Sequence, residues 1–320
     1  MKKLYKQFND ISLYHGNNID VLKTMDRESV DCVVTSPPYW GLRDYNNSSQ
    51  LGLEPTFEEY VANLVKVFQE VHRVLKPSGT VWLNLGDSYA GSNSDKHSSP
   101  NKNTLSAKMG QTYGGIEKSI KAKVPGLKPK DLIGIPWRVA FALQADGWYL
   151  RSDIIWQKPN PMPESVKDRP TKSHEYIFLL TKSRKYYYDA DAIKEPTVSQ
   201  DKYKRDRDNP DYKFNNTPGR TKMSGLKDNK YTRKNKRDVW NINTKPYKEA
   251  HFAVFPEEIP MNCIKAGSPE DGVVLDPFVG SGTTLKVARQ LGRKAIGIDI
   301  NTEYLDLCIK RCNEIQNILI

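Results

Sequence analysis

At 320 residues with 38% hydrophobic content, the chain is long enough for one large α/β domain with insertions or for two modest domains, and too long for a small stapled scaffold. A formal charge of +11 fits a polyanionic partner, because Lys and Arg that neutralise phosphates release counterions; general solubility is the plainer alternative. Cys32, Cys263, Cys308 and Cys312 show neither paired CxxC spacing nor the density of a secreted disulfide scaffold, and no export signal or 18-residue apolar run is present, so a cytoplasmic protein without a membrane span is expected.

In chain order, residues 29–35 (SVDCVVT) read as a short buried strand that ends at a Pro-Pro pair unable to continue a ladder. Residues 58–75 place apolar side chains at helical spacing and stop before Lys76-Pro77-Ser78-Gly79, which reads as a helix stop followed by a turn. Residues 80–85 (TVWLNL) form the next strand, and the Ser/Asn/Lys-rich stretch from about 90 to 126 is expected to be a mobile insertion. A helix over 132–145 and strands over 149–156 and 176–180 follow. The alternation predicts an α/β fold with a mostly parallel twisted sheet covered on both faces by helices.

From Asp201 to Asp238 the composition shifts to thirteen Lys and Arg against six Asp, which is most of the chain's positive excess. Tyr203, Tyr212, Phe214 and Tyr231 interleave with these cations, as expected where phosphates and unstacked bases are both contacted; a disordered linker is the alternative. Ordered signals return at Phe255-Pro256-Glu257-Glu258, which opens a helix with carboxylates in its first turn. A strand over 272–276, a Gly-rich turn, a helix over 284–291, a strand over 294–299 and a final helix complete a βαβα unit. Cys308 and Cys312 lie four apart in that last helix, without further ligands clustering near them in sequence, and read as packing residues; no metal site is expected.

Two motifs carry chemistry. The turn Asp276-Pro277-Phe278-Val279-Gly280-Ser281-Gly282-Thr283-Thr284 joins a strand to a helix through two glycines, which lets a ligand approach the backbone. The third glycine of a dinucleotide fingerprint is replaced by Leu285, and an acid opens the turn, where it repels a pyrophosphate but suits an ammonium. Asp299, at the next strand's end, is placed to accept from a ribose diol, so the pair suggests a ligand with both an amino acid and a ribose, S-adenosyl-L-methionine. The second motif, Ser36-Pro37-Pro38-Tyr39, holds a hydroxyl and a Pro37 carbonyl as paired acceptors for one amino group, with Tyr39 offering a face for a planar base. A base in duplex DNA reaches such a pocket only by flipping out, at a cost of about a few kcal/mol.

With these residues in place, the chain resembles the amino-directed DNA methyltransferases, whose catalytic motif has the form [DNS]PP[YFW], in the permuted β-group order with the cofactor loop C-terminal. The resemblance spans nearly everything outside the two polar insertions. It implies a Rossmann-like S-adenosylmethionine-dependent methyltransferase fold, with residues 1–196 and 246–320 forming the catalytic domain and 197–245 a basic insertion for DNA target recognition. It also implies catalysis by Ser36, Pro37, Pro38 and Tyr39. By similarity, Phe278 flanks the cofactor adenine, Asp276 and Gly280 hold its methionine end, with Ser281, Gly282 and Thr283 completing the loop, and Asp299 takes the ribose. Tyr14-His15-Gly16-Asn17-Asn18 and Phe255-Pro256 match further cofactor contacts, with Asn17 standing where relatives commonly carry Asp. Serine at the first catalytic position is associated mainly with cytosine N4, so cytosine-N4 methylation by direct transfer is expected, with adenine N6 as the alternative. The implied partners are double-stranded DNA and a cognate restriction endonuclease, with the enzyme a monomer or homodimer.

Three other readings fit less well. A nucleic-acid-binding protein without catalysis leaves both motifs unexplained. Protein glutamine methylation is carried by enzymes whose cofactor loop precedes NPPY. Methylation at cytosine C5 needs a cysteine nucleophile that none of the four cysteines supplies in the usual setting after a proline. Asp153, Trp156 and Lys158 are candidates to lie beside the target base, although strand packing explains Trp156 equally well.

Overall fold

The computed structural model describes residues 3–41, 50–91, 124–197, 232–244 and 255–313. Most of the expected insertion near 90–126, and Tyr203, Tyr212, Phe214 and Tyr231, lie outside the described residues. In chain order the elements are β1 (Lys3–Phe8), β2 (Ile11–His15), α1 (Asn18–Lys23), β3 (Val30–Thr35), α2 (Phe57–Val74), β4 (Leu75–Leu85), α3 (Ile135–Ala145), β5 (Tyr149–Gln157), β6 (His174–Thr181), β7 (Glu195–Pro196), β8 (Arg233–Lys234), β9 (Val239–Asn241), α4 (Glu258–Gly267), β10 (Val273–Asp276), α5 (Thr283–Gln290), β11 (Lys294–Asp299) and α6 (Thr302–Asn313).

Among the described residues one sheet runs in the order β1-β2-β11-β10-β3-β4-β6-β5-β9. The strands β2, β11, β10, β3 and β4 are mutually parallel, while β6 runs against β4 and β5. All six residues of β3 are buried, as an interior parallel strand covered on both faces requires. Asp31, the second residue of β3, is nonetheless an acid. Its carboxylate takes Lys76 Nζ of β4 at 2.8 Å and the Val273 backbone N–H of β10 at 2.9 Å, so it fastens both neighbouring strands. A buried carboxylate is tolerated because it is paired.

The expected turn at Lys76–Gly79 is instead the first part of β4, which starts at Leu75 paired with Val30. A register shift between Val30 and Cys32 accommodates Pro77, and β6 joins β4 only from Thr80 onward, so the proline removes no bond on that side. The third helix starts at Ile135, later than its apolar pattern suggests, because Tyr89 and Leu132 form a β-bridge ahead of it.

α2 buries Tyr60, Leu64, Val67, Phe68 and Val71 along one face and is capped by the Thr56 hydroxyl, which accepts from Glu59 N–H at 3.2 Å. At its other end Arg73 donates to the Leu22 and Met25 carbonyls, which satisfies the last turn of α1. The described chain divides into two compact units. One comprises residues 1–188 and 238–320; the other is Asp189–Arg237, where β7 and β8 pair antiparallel and Glu195 meets Arg237 at 2.6 Å and Lys234 at 3.4 Å. Among the described residues no helix is long and apolar enough to cross a membrane.

Candidate active site

Because β2, β11, β10, β3 and β4 are parallel, their carboxyl ends share one edge of the sheet. That edge carries Asn17, Asp299, Asp276, Ser36 and Asp87. The reversed strand β6 begins there with Glu175 near its first residue, and β5 finishes there before Lys158. Open α/β sheets bind ligands at this edge, at the point where the chain's winding reverses. Here the reversal falls between β10 and β3, which join the two sequence motifs although 240 residues separate them.

At the end of β3, Ser36 is half-buried, Pro37 buried, and Pro38 and Tyr39 half-buried. Pro38 presents its carbonyl to the Tyr60 hydroxyl at 2.9 Å, which fixes the motif against α2. The Ser36 hydroxyl donates toward the Tyr39 oxygen at 3.4 Å, and Tyr39 in turn donates to Glu175 at 2.7 Å, with Asn84 Oδ1 also within 3.2 Å. Glu175 is further held by Asn84 Nδ2 at 3.2 Å and by an ion pair with Lys158. Burial and the adjacent Glu175 carboxylate push the Tyr39 phenol well above its ordinary range, so it stays protonated and can only relay or orient. Gly86, just past β4, lies against the Tyr39 ring: a Cβ there would meet Cε2 at 2.6 Å.

Asp87 closes this corner. Its carboxylate accepts the Gly134 N–H at 3.0 Å and the Ile135 N–H at 3.1 Å, capping α3, which has no side-chain cap from its own first residues. Its carbonyl takes the Lys172 ammonium, whose pKa burial lowers.

At the end of β10, Asp276 is buried and fully engaged. It accepts from the Thr35 hydroxyl at 2.7 Å, the Thr284 hydroxyl at 2.7 Å and the Phe278 N–H at 3.1 Å. Burial pushes its pKa up to about 6 against these hydrogen bonds. The carboxylate thereby ties the residue before Ser36 to the first turn of α5. Asp299, half-buried at the end of β11, accepts from Gly280 N–H and Asn301 N–H, both at 2.9 Å, and burial likewise raises it to about 6. Its backbone carbonyl receives Gly16 N–H at 3.0 Å, which brings the turn before Asn17 to the same place. Asn17 itself caps α1, accepting from Ile19 N–H at 3.0 Å.

The glycine turn has an open side and a packed side. Half-buried Gly280 (φ +48°) has nothing within 4 Å of where a Cβ would stand, so there is open space on that side of the turn, beside Asp299 and half-buried Phe278. That opening suits a ligand laid along the backbone, with a carboxylate for hydroxyls and an aromatic ring for a purine. On the packed side, Gly282 (φ +82°) sits over Cys308 of α6, and buried Arg311 donates to the Ser281 carbonyl and hydroxyl and to the Thr283 hydroxyl at 2.7–3.0 Å. Ser281, Gly282 and Thr283 are thus held from behind. Half-buried Phe255 and buried Pro256 stand at the head of α4, which Glu257 links to α5 through Lys286 at 2.7 Å.

The sequence reading missed Glu175, Asp87 and Arg311. Each acts through partners distant along the chain; the only local signal was the unusual burial demanded of an Arg in an otherwise apolar helix face. Asp153, on β5, pairs in register with Phe178. Trp156 is buried with its indole N–H on the Ile242 carbonyl at 2.9 Å, and so packs, while the Lys158 ammonium lies 4.4 Å from the Trp156 ring centre. The four cysteines are all buried, and among the described residues no cluster of three or more His, Cys, Asp or Glu is gathered as a metal site requires.

Comparison with known proteins agrees with this geometry. The DNA methylase family model named for N6 and N4 methylation matches residues 30–310. The type II methyltransferase M.SmaI of Serratia marcescens is 48% identical over 92% of this chain and 88% of its own length, and M.Cfr9I of Citrobacter freundii 45% over 95% and 88%. Among solved structures, the PvuII DNA methyltransferase, described as cytosine-N4-specific, superposes with a TM-score of 0.64 at 19% identity over 97% of this chain and 89% of its own. M1.HpyAVI, solved with S-adenosylmethionine, gives 0.54 at 17% over 95% and 99%. The chain belongs to the N6/N4 DNA methylase family and is a DNA methyltransferase.

Proposed function

We propose that the chain methylates the exocyclic N4 amino group of cytosine in double-stranded DNA, with Ser36, Pro37, Pro38 and Tyr39 receiving the flipped base. The observation that carries the reading is the chain of contacts from Ser36 to Glu175: Tyr39 lies 2.7 Å from a carboxylate oxygen, which accepts its proton, so the Ser36 hydroxyl 3.4 Å away is left to donate to Tyr39. The Ser36 oxygen then keeps its lone pairs for an incoming amino group. An aromatic amine is a poor nucleophile because its lone pair is delocalised, and acceptors on its two hydrogens, here Ser36 Oγ and the Pro37 carbonyl, favour the pyramidal nitrogen that attacks. A neutral serine acceptor in place of a carboxylate goes, in this family, mainly with cytosine.

S-adenosylmethionine supplies an electrophilic methyl group when bound. Phe278, Gly280, Asp299 and Asn17 are the residues that would hold it on the open side of the turn, with Phe255 and Pro256 beside it. Asp276, Ser281, Gly282 and Thr283 keep the turn in shape beneath. Direct transfer needs no covalent nucleophile, and Cys32, buried in β3 with its thiol pushed up to about 12, is not offered as one. The cationic stretch at 197–245 is assigned to target recognition, on its charge and interleaved aromatics.

The test is transfer of labelled methyl to mixed-sequence duplex DNA followed by nucleoside mass spectrometry. N4-methylcytosine is expected, with Ser36→Ala lowering kcat by roughly 100-fold or more, as for loss of one transition-state hydrogen bond. N6-methyladenine overturns the base assignment.

A further inference from the structure

The segment joining β5 to β6 carries a side chain that neither the fold nor the site described above uses. Met162 is 86% exposed, the most exposed of the large hydrophobic side chains among the described residues. It stands between Pro161 and Pro163, whose rings fix φ and leave the tip little freedom to collapse onto the protein. The stems are anchored. Lys158 N–H donates to the Ser173 carbonyl at 2.7 Å, and Asn160 exchanges hydrogen bonds with the Thr244 backbone at 2.9 and 3.0 Å. Further along, Arg169 pairs with Glu164 at 2.6 Å and lies 3.9 Å from the centre of the Tyr89 ring.

Both stems also reach the catalytic corner: Lys158 holds Glu175, which holds Tyr39, and Lys172 holds Asp87. Met162 follows Lys158 by four residues, at most about 14 Å of chain. An apolar, unbranched tip is therefore tethered to the corner that carries Tyr39, and exposed Lys167 lies on the same segment.

We infer that Met162 is a wedge that enters the DNA stack and occupies the gap left by the extruded base. An exposed apolar side chain on a stiff loop is costly to keep in water, and its burial between base pairs recovers that cost while offsetting the unstacking that extrusion demands. Methionine suits the gap because its flexible thioether fits whichever neighbouring bases flank it. The inference rests on the base-extrusion reading above.

The experiment compares methyl transfer by wild-type protein, Met162→Ala and Met162→Leu on two duplexes that share the site mapped with the wild-type enzyme. One is fully paired and the other carries an abasic position opposite the target, where extrusion no longer breaks a base pair. Met162→Ala is expected to lose about tenfold or more in kcat/KM on the paired duplex and about threefold or less on the abasic one, with Met162→Leu near wild type on both. Because the side chain is exposed, neither variant disturbs folding, which circular dichroism verifies. No loss on the paired duplex, or equal loss on both, overturns the role of Met162. Failure of the wild-type enzyme itself to use the abasic duplex counts instead against extrusion.

Discussion

Replacing Gly282 by alanine tests how the cofactor turn is built. Gly282 begins α5 with φ +82° and ψ +24°, a left-handed conformation that costs an L side chain about 1–2 kcal/mol. The added Cβ would stand 2.3 Å from Cys308 Sγ, 2.9 Å from Cys308 Cβ and 3.1 Å from its Cα, more than an ångström inside contact at the sulfur. Overpacking of that kind adds about 1–3 kcal/mol, so Gly282→Ala should lose about 2–5 kcal/mol in urea unfolding. The two contributions separate in a cycle. Cys308→Ala removes the sulfur and its own packing, and in the double variant only the backbone strain and the lesser contacts remain. The double variant should therefore be at least about 1 kcal/mol more stable than the sum of the single losses predicts. Binding of S-adenosylmethionine, followed by calorimetry, should weaken in Gly282→Ala and partly recover in the double variant. Additivity within about 0.5 kcal/mol refutes the packing argument, since distant independent sites behave that way.

Asp276 and Asp299 bind protons more tightly in the folded chain, at about 6, than a free carboxylate does near 3.9. Their contribution to stability is therefore full below about pH 4 and lost as pH rises through about 6. Asp276→Asn carries a fixed cost from altered hydrogen bonding to Thr35, Thr284 and Phe278, but its stability relative to wild type should improve by on the order of 1–3 kcal/mol between pH 4 and pH 7.5, read from urea midpoints; a constant difference contradicts the shift. Asp87→Ala uncaps α3 and should cost about 1–2 kcal/mol by the same assay, and a loss below about 0.3 kcal/mol would mean that the Gly134 and Ile135 N–H groups find water instead.

What could be read from the sequence was local. Ser36–Tyr39 and Asp276–Thr283 announce themselves because proline and glycine dictate backbone shape over a few residues, and the buried strand over 30–35 because a run of valines has one natural setting. The spacing of Cys308 and Cys312 on one helix face is legible, yet that Cys308 forms the floor under Gly282 depends on α6 folding back over the turn. Glu175 lies 136 residues beyond Tyr39, and Asp87 caps a helix 47 residues on; nothing in a linear pattern pairs them. The Lys76–Gly79 segment misled because Pro and Gly punctuate turns when read alone, whereas here they begin a strand that β6 joins only from Thr80 onward. The reversal of β6, which brings Glu175 to the edge that carries Ser36 and Tyr39, is likewise decided by sheet assembly rather than by the residues of β6.

The adjacency of β10 and β3 makes the sheet a ruler. Neighbouring strands stand about 4.8 Å apart, so the donor turn and the acceptor motif, each opening from the end of one of these strands, are spaced by backbone hydrogen bonding rather than by flexible side chains. The strands share only the pairs Val274–Cys32 and Leu275–Val33, and the Thr35–Asp276 bond clamps the ladder just beyond its last rung. A misplacement of about 1 Å can slow a positioned reaction by about 100-fold. Sequence change elsewhere in the chain then leaves the interval between these two strand ends constant.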